Sequence, residues 1–387
     1  MKVGLLSYPM LFQNKGGLQI QILETSAALR RLGIEARLVD PVRERLTDFD
    51  LIHVFSAING NHRIVECARD QGLPVIVSPL IRPHWTTRLG WLAQRLESVV
   101  GRLTQWNVKT EYQAIASCLR RADVLIALGD PERRAIIDAF HIAPERIRVV
   151  PNGIPPRFFK AEPQAFCERY AVPAGFVLSV ATISPHKNQL AVARALEGTG
   201  RQLVLIGPCG GGDEEYMERL LALEHVKYIG ALDYESPLLA SAYVAAGVFC
   251  LPALSEVMPL SVMESLAAGT PVVMTRNHCM DVSRMGEVVA EVSPQDETAI
   301  REAVERFARL QVAPEACRAA VAHFSWDTVA AEIALCYEQA LTAAERVAEG
   351  DRLPSALRDA TPPPGAREAS SSMHGPIPAA TGRESRN

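Results

Sequence analysis

Long apolar runs are missing from this chain of 387 residues. None approaches the ~18 residues that cross a bilayer, so no helical membrane span is expected. Metal-type cysteine spacing is missing too. The eight cysteines stand at 67, 118, 167, 209, 250, 279, 317 and 336, with no C-x-x-C pair and no histidine at zinc spacing. Several, such as Cys250 between Phe249 and Leu251, have apolar neighbours, as reduced buried thiols of a cytoplasmic protein do. The amino-terminal MKVGLLSYPM lacks the sustained apolar core and small-residue cleavage site of a signal peptide, and reads as a first strand. The three spaced glycines of a dinucleotide fingerprint are absent from its first loop. Net basic charge is absent as well. The chain carries −4 overall, and no aromatic–basic patch lies outside one helix, so a nucleic-acid partner is not expected.

What remains is the composition of a folded chain. Hydrophobic residues make up 48% and charged ones 22%, and the length suffices for two domains of ordinary size. Charge is uneven along it. Residues 1–165 hold 22 Lys and Arg against 16 Asp and Glu, and the rest holds 18 against 28. A basic half followed by an acidic half predicts an anionic partner for the first.

The most informative stretch runs from Ser255 to Val273, SEVMPLSVMESLAAGTPVV. The apolar run Val248 to Pro252 before it reads as a buried strand. Glu256 falls in the loop at that strand's carboxyl end. Pro259 suits a helix start and Gly269 the position after a helix end, which predicts a helix from about Pro259 to Ala268 with Glu264 one turn in. Val272 to Met274 is the next strand. Such a βαβ step belongs to a parallel sheet, whose ligands sit beyond the carboxyl strand ends, beside helix amino ends. Two glutamates with seven residues between suit a ligand with a hydroxyl-rich ring at each end, because a carboxylate accepts two hydroxyls. Free amides around Leu260 and Ser261 suit an anion between them. A nucleoside diphosphate sugar has that build. A solvated surface pair would share the spacing but not the apolar setting.

On these residues the chain resembles the retaining glycosyltransferases of the GT-B fold, family 4 type. Their donor site carries two Glu with seven residues between, often with Met-Pro after the first, then Glu-Ala-x-Ala-x-Gly-x-Pro-Val-Val. The resemblance implies that Glu256 holds the donor sugar and Glu264 the ribose hydroxyls. It covers about residues 1–345 and is weakest over 80–120. It implies an α/β fold of two Rossmann-like domains facing across a cleft.

Earlier in the chain, Val3 to Ser7 and Ala36 to Val39 read as strands around a helix from about Leu18 to Leu32. Gly16 and Gly17 stand at that helix's start, after Lys15. Paired glycines there serve a turn, or let backbone amides approach a phosphate. In the resembled family this loop reaches the donor phosphates. Leu51 to Phe55 and Val75 to Ser78 are further parallel strands. His53, Ser78, Arg82 and His84, within or just after them, are the acceptor-side candidates, although a histidine inside a strand also fits a satisfied core position. From Trp85 to Trp106, the apolar residues Trp85, Leu89, Leu92, Leu96, Val99, Leu103 and Trp106 alternate spacings of four and three, with Arg88, Arg95 and Arg102 on a flanking line. That pattern fits a helix packed on its domain with Arg at the rim. It also fits a basic amphipathic helix lying on an anionic membrane surface, as an enzyme with a lipid-linked acceptor would carry.

Val150-Pro151-Asn152-Gly153-Ile154 resembles the hinge segment of the family, and Phe324-Ser325-Trp326-Asp327 opens a helix like the one that crosses back to the first domain. Thr182 to Asn188 stands where the family has Gly-Arg-Leu-x-x-x-Lys-Asn/Gly, whose Arg and Lys grip the diphosphate. Lys187 matches the lysine. Thr182 stands where the arginine belongs, and His186, Arg276 and Lys15 are unranked candidates to replace it.

The expected organisation is an acceptor-side domain over 1–160, a nucleotide-sugar domain over 165–330, a returning helix over 331–349 and a disordered Pro-, Ser- and Gly-rich tail over 350–387. The resemblance implies sugar transfer, with retention, from a nucleotide diphosphate sugar to a hydroxyl of a glycan, glycolipid or small-molecule acceptor. No Asp-x-Asp stands in the donor half to hold a metal on the diphosphate, so neither metal nor cofactor is expected. The expected location is the cytoplasm, peripheral on the inner face of the plasma membrane. Two alternatives stay open: a nucleotide-sugar epimerase of similar fold, which needs acid–base carboxylates on the first domain's cleft face, and a non-catalytic nucleotide-sugar binder, of which Thr182 would be the mark.

Overall fold

The computed structural model describes residues 1–13, 16–103 and 110–352. Lys15, Trp106 and the tail beyond 352 lie outside the described residues, as do the side chains of Val99, Arg102 and Leu103. Met1–Ala344 is one compact unit, and Glu345–Asn387 is a second, whose described part continues the last helix.

Two parallel six-stranded sheets organise the first unit. One holds β1 (Lys2–Leu6), β2 (Glu35–Leu38), β3 (Leu51–Phe55), β4 (Val75–Ser78), β5 (Val124–Ala127) and β6 (Ile147–Val149), in the order β2-β1-β3-β4-β5-β6. The other holds β7 (Val177–Val180), β8 (Leu203–Ile206), β9 (Val226–Gly230), β10 (Val248–Leu251), β11 (Val272–Thr275) and β12 (Val289–Val292), in the order β12-β11-β10-β7-β8-β9. Each order reverses direction once, at β1 in the first sheet and at β7 in the second. That is the doubly wound pattern, which opens a crevice at the carboxyl ends beside the reversal.

The crossovers are helical: α1 (Gly17–Arg31), α2 (His62–Asp70), α3 (Thr87–Leu103), α4 (Glu111–Arg121) and α5 (Asp130–Phe140) belong to the first sheet. The second sheet's helices include α6 (Gln164–Tyr170), α7 (Gln189–Ala195), α8 (Glu214–Leu221), α9 (Pro237–Ala245) and α10 (Leu260–Ala268), followed by α11 (Glu297–Leu310) and α12 (Pro314–Val321). Helices on both faces of a parallel sheet demand strands that are apolar on both sides. The second sheet shows it: Phe249, Leu251, Val272 and Met274 enter one core, and Val248, Cys250 and Val273 the opposite one. The register Phe249↔Val272 keeps like faces together.

The last helix, α13 (Trp326–Arg352), returns to the first sheet. Trp326, Val329, Ala330, Ile333, Tyr337 and Ala340 form one stripe and enter the same core as Val3, Leu5 and Leu51. Its entry is close. Ile154 bridges Ser325, and a Cβ on Gly153 would lie 2.5 Å from the Trp326 nitrogen, so the Pro-Asn-Gly hinge needs a residue without one.

Helix α3 departs from the expected packing. Its buried contact is Gly90, against the Ala139 backbone of α5, with Ala93 partly buried beside it. The predicted stripe lies off that face: Leu89, Leu92 and Leu96 are 38%, 56% and 61% exposed. Small residues let α3 approach α5 closely, and the leucines are left outside. Trp85 precedes the helix and packs on the first domain's core. Among the described residues no helix is long and apolar enough to cross a membrane.

Candidate functional site

A cavity of about 900 Å³ lies between the carboxyl ends of the two sheets. The β10–α10 step forms much of one wall. Pro259 is the N-cap of α10, with φ −70°, and no side chain caps the helix, so the amides of its first turn are left to the cavity that Leu260 and Ser261 line. Gly269 closes the helix at φ +96°, a conformation that favours glycine.

Glu256 and Lys187 meet in the cavity lining. The Lys187 ammonium donates to Glu256 Oε1 at 2.6 Å, with the carboxylate side chain only 10% exposed. The contact is set by backbone stitching between two distant segments. Leu254 N–H donates to the His186 carbonyl, His186 Nε2 bonds the Ser255 carbonyl at 3.1 Å, and the Asn188 side chain donates to the Pro252 and Pro294 carbonyls. Burial, with the positive charges of Arg82 and Lys187, holds the His186 imidazole below its ordinary range, so it is neutral at pH 7.

Glu264 also lines the cavity, 4% exposed. Tyr243 donates to its Oε2 at 2.8 Å, whereas Oε1 is buried without a partner. Burial pushes the Glu264 carboxyl up to about 7. The nearby Tyr234 hydroxyl is also buried; it falls outside hydrogen-bond geometry but lies close enough to Glu264 to act on its carboxyl as a donor. Its ring is held under the Arg157 guanidinium, 4.3 Å away, and Arg157 reaches Glu24 of α1 and Glu235. A ligand with vicinal hydroxyls would satisfy both orphan oxygens.

Two family models match the chain: that described as Glycosyltransferase Family 4 over residues 36–158, and that described as Glycosyl transferases group 1 over residues 171–323. The chain belongs to the GT-B glycosyltransferases of family 4 type. A D-inositol 3-phosphate glycosyltransferase from Acidothermus cellulolyticus is 32% identical over 262 residues, which are 62% of this chain and 58% of that relative's length. The chain thus matches a little over half of that relative. A sucrose-phosphate synthase from Thermosynechococcus elongatus has a similar structure, with a TM-score of 0.69 at 19% identity, covering 89% of this chain and all of that one. The Anabaena protein HepE in complex with UDP-glucose aligns with a TM-score of 0.65 at 16% identity, covering 87% and 99%. At these identities the likeness is one of fold.

The family-type positions converge on the cavity. Glu256, Glu264, Lys187, Thr182, Leu260 and Ser261 line it, and so do Gly16 and Gly17 across the cleft. Gly16 is the N-cap of α1, and a Cβ there would meet only open space, so packing does not explain this glycine. The hinge joins the same assembly, since the Asn152 side-chain amide donates to the Met258 carbonyl.

The acceptor-side candidates separate. Arg82 lines the cavity. His53 and Ser78 do not: they are 0% and 3% exposed, inside the first sheet's core. His53 Nδ1 pairs with the Tyr337 hydroxyl at 2.8 Å and Nε2 with Ser78 Oγ at 2.9 Å, and burial lowers the imidazole to about 3. Both are core residues, because a strand of a doubly covered sheet has no solvent face. His84 is exposed beside Trp85, outside the cavity lining. Arg276 is also off the cavity.

Tyr234, Tyr243, Arg157 and Glu24 were not among the residues singled out from sequence. Tyr234 lies just after β9, in a stretch with no motif that points to it. Tyr243 sits in an apolar helix and gives none. Among the described residues no group of three or more His, Cys, Asp or Glu could hold a metal ion. The chain's one Asp-x-Asp, Asp48-Phe49-Asp50, precedes β3, and Asp50 accepts the Lys2 amide at that sheet's amino end, outside the cavity lining.

Proposed function

We propose that this protein transfers a glycosyl group from a nucleoside diphosphate sugar to a hydroxyl of a glycan, glycolipid or small-molecule acceptor, with retention at the anomeric carbon. The observation that carries the reading is two carboxylates that line one cavity, Glu256 on Lys187 and Glu264 on Tyr243, together with the uncapped amino end of α10. Glu264 Oε1, buried and unpartnered, takes the ribose hydroxyls. The α10 amides receive the diphosphate. Glu256, held by Lys187, orients the donor sugar. The Acidothermus cellulolyticus relative, a glycosyltransferase by name, supports glycosyl transfer, and the UDP-glucose complex of HepE supports a sugar nucleotide as the ligand.

In the reaction, the bond from the anomeric carbon to the diphosphate oxygen breaks, and its electron pair stays on that oxygen. The acceptor oxygen bonds to the anomeric carbon from the same face and gives its proton to the leaving phosphate. Lys187 and the helix amides offset the charge that develops there, so the reaction is proposed to need no metal. The two enzyme carboxylates do not face each other across one bond as glycosidase pairs do. An epimerase is not favoured, since among the described residues Glu24 is the one acidic residue of the first sheet's half that lines the cavity.

The acceptor is proposed to be lipid-linked, reached at the cytoplasmic face of the membrane. Leu89, Trp91, Leu92 and Leu96 on α3 are exposed, and Arg88 and Arg95 lie among them. The Arg95 guanidinium stacks 3.7 Å from the Trp91 ring. Apolar side chains interleaved with arginine match an anionic lipid surface.

The test is thermal stabilisation by UDP-, GDP-, ADP- and dTDP-sugars with chelator present. One donor class is expected to stabilise the protein, and Glu264→Ala to abolish the shift. No shift with any donor would overturn the reading.

A further inference from the structure

The diphosphate end of the cavity is short of positive charge. Its expected arginine is Thr182, whose side chain carries none. Lys187 is already paired with Glu256 at 2.6 Å, so the two charges largely cancel. His186 is neutral, and Arg276 does not reach the cavity. A bound diphosphate carries two negative charges, and α10's amino end alone is worth about half a charge.

Among the described residues, three cationic side chains line the cavity: Arg30, Arg82 and Lys187. Arg30 comes from the carboxyl end of α1 and its Nε donates to the Ser26 carbonyl of its own helix. Arg82 differs. It is exposed, and among the described residues its guanidinium has no hydrogen-bond or ion-pair partner. It lines the same cavity as Thr182, His186 and Lys187, and its charge and that of Lys187 both reach the His186 imidazole.

The loop that carries Arg82 is built rather than loose. Leu80 holds a left-handed backbone, φ +57°. The next amide, Ile81, donates to Glu132 Oε1 at 2.7 Å, and the other oxygen of that wholly buried carboxylate takes the Leu128 amide at 2.7 Å. The Ile81 carbonyl meets Cys279 Sγ, from the second sheet's half, at 3.8 Å. Ile81 is therefore gripped from both halves of the molecule, and Arg82 follows it directly into the cleft. A fixed backbone with a free guanidinium at its end suits an anion that arrives with the ligand.

We infer that Arg82, from the first sheet's half, is the second cation on the donor diphosphate, and that it takes the place left by Thr182. The inference rests on the reading of the cavity as a sugar-nucleotide site, and it moves Arg82 from the acceptor side to the donor. When the glycosidic bond breaks, Arg82 and Lys187 approach the diphosphate from opposite walls and share the charge that collects on the leaving oxygen.

The test measures binding of UDP, GDP, ADP and dTDP, with the matching nucleosides as controls, by calorimetry. Variants are Arg82→Ala, Lys187→Ala, Glu264→Ala and the double variant Arg82→Ala/Thr182→Arg. Arg82→Ala is expected to keep the ligand-free melting temperature, since its side chain has no protein partner. It is expected to lose about 10- to 100-fold in affinity for the nucleoside diphosphate and nothing for the nucleoside. The double variant is expected to regain at least tenfold. If Arg82→Ala binds the diphosphate as tightly as the unaltered protein while Lys187→Ala and Glu264→Ala bind it weakly, the inference fails and the site reading stands. If the unaltered protein binds none of the four, or Glu264→Ala changes nothing, the site reading fails and the inference fails with it.

Discussion

Replacing Glu264 by Gln changes how stability depends on pH. Burial favours the neutral acid, so the folded protein keeps the Glu264 proton until about pH 7. The unfolded chain releases it near the ordinary glutamate value of 4.5. Between those values the native state binds the extra proton, and stability falls as pH rises. Each pH unit across the window is worth about 1.4 kcal/mol per proton, so ionising Glu264 withdraws about 3 kcal/mol by pH 7. The contribution is complete below pH 4.5 and gone above about 7. Glutamine cannot ionise. The stability difference between the unaltered protein and Glu264→Gln should therefore drift by about 3 kcal/mol in favour of the variant between pH 4.5 and 7.5. Glu132, also wholly buried and raised to about 7, titrates in the same window but is present in both proteins and cancels. Urea unfolding at a series of pH values reads the difference, which amounts to about 1 M or less in the midpoint for a chain of this size. A bound nucleotide adds a second reading. Ribose hydroxyls that donate to Oε1 favour the carboxylate, so binding should weaken as pH falls below about 7, and less so in the variant. Parallel stability curves for the two proteins would refute the argument.

The core pair His53–Tyr337 gives another expectation. Tyr337→Phe leaves the His53 Nδ1 buried without its partner and should cost about 1–3 kcal/mol in urea unfolding, with nucleotide affinity unchanged. Gly153→Ala places a methyl against the Trp326 backbone and should cost about 1–3 kcal/mol or more, measured the same way. For α3, sedimentation with anionic phosphatidylglycerol vesicles should drop in Arg88→Ala/Arg95→Ala and in high salt, while neutral vesicles bind weakly throughout. Equal sedimentation of variant and unaltered protein would remove the membrane from the proposal.

The β10–α10 step was legible because its signals are local. Pro259 and Gly269 mark the helix ends through their own backbone preferences, and Glu256 and Glu264 follow from the register between them. Strands β3 and β4 were legible at both ends, as short apolar runs between turn residues. His53 and Ser78 were misplaced for a tertiary reason. A polar side chain in such a strand points into a core whose second wall is supplied 284 residues later by Tyr337. The α3 leucines show the opposite limit. Periodicity found the stripe, but Gly90 and Ala93 chose the packing face, because close approach of two helices rewards small residues over large ones. Tyr243 could not be found at all, since its hydroxyl matters only where α9 meets α10.

The return of α13 to the first sheet ties the two ends of translation together. Strands β1 to β4 emerge early, and α1 covers part of one face of their sheet, but the rest of that face stays open until Trp326, Ile333 and Tyr337 have been made. Until then His53 waits in an apolar strand with one ring nitrogen unmatched, and that face is bare to water or to a chaperone. The first half is thus not a freestanding module that can be excised at the hinge. A chain cut before Trp326 would lose a wall of the amino-terminal core while the second sheet kept both of its own, so damage at one end of the gene would surface as aggregation at the other.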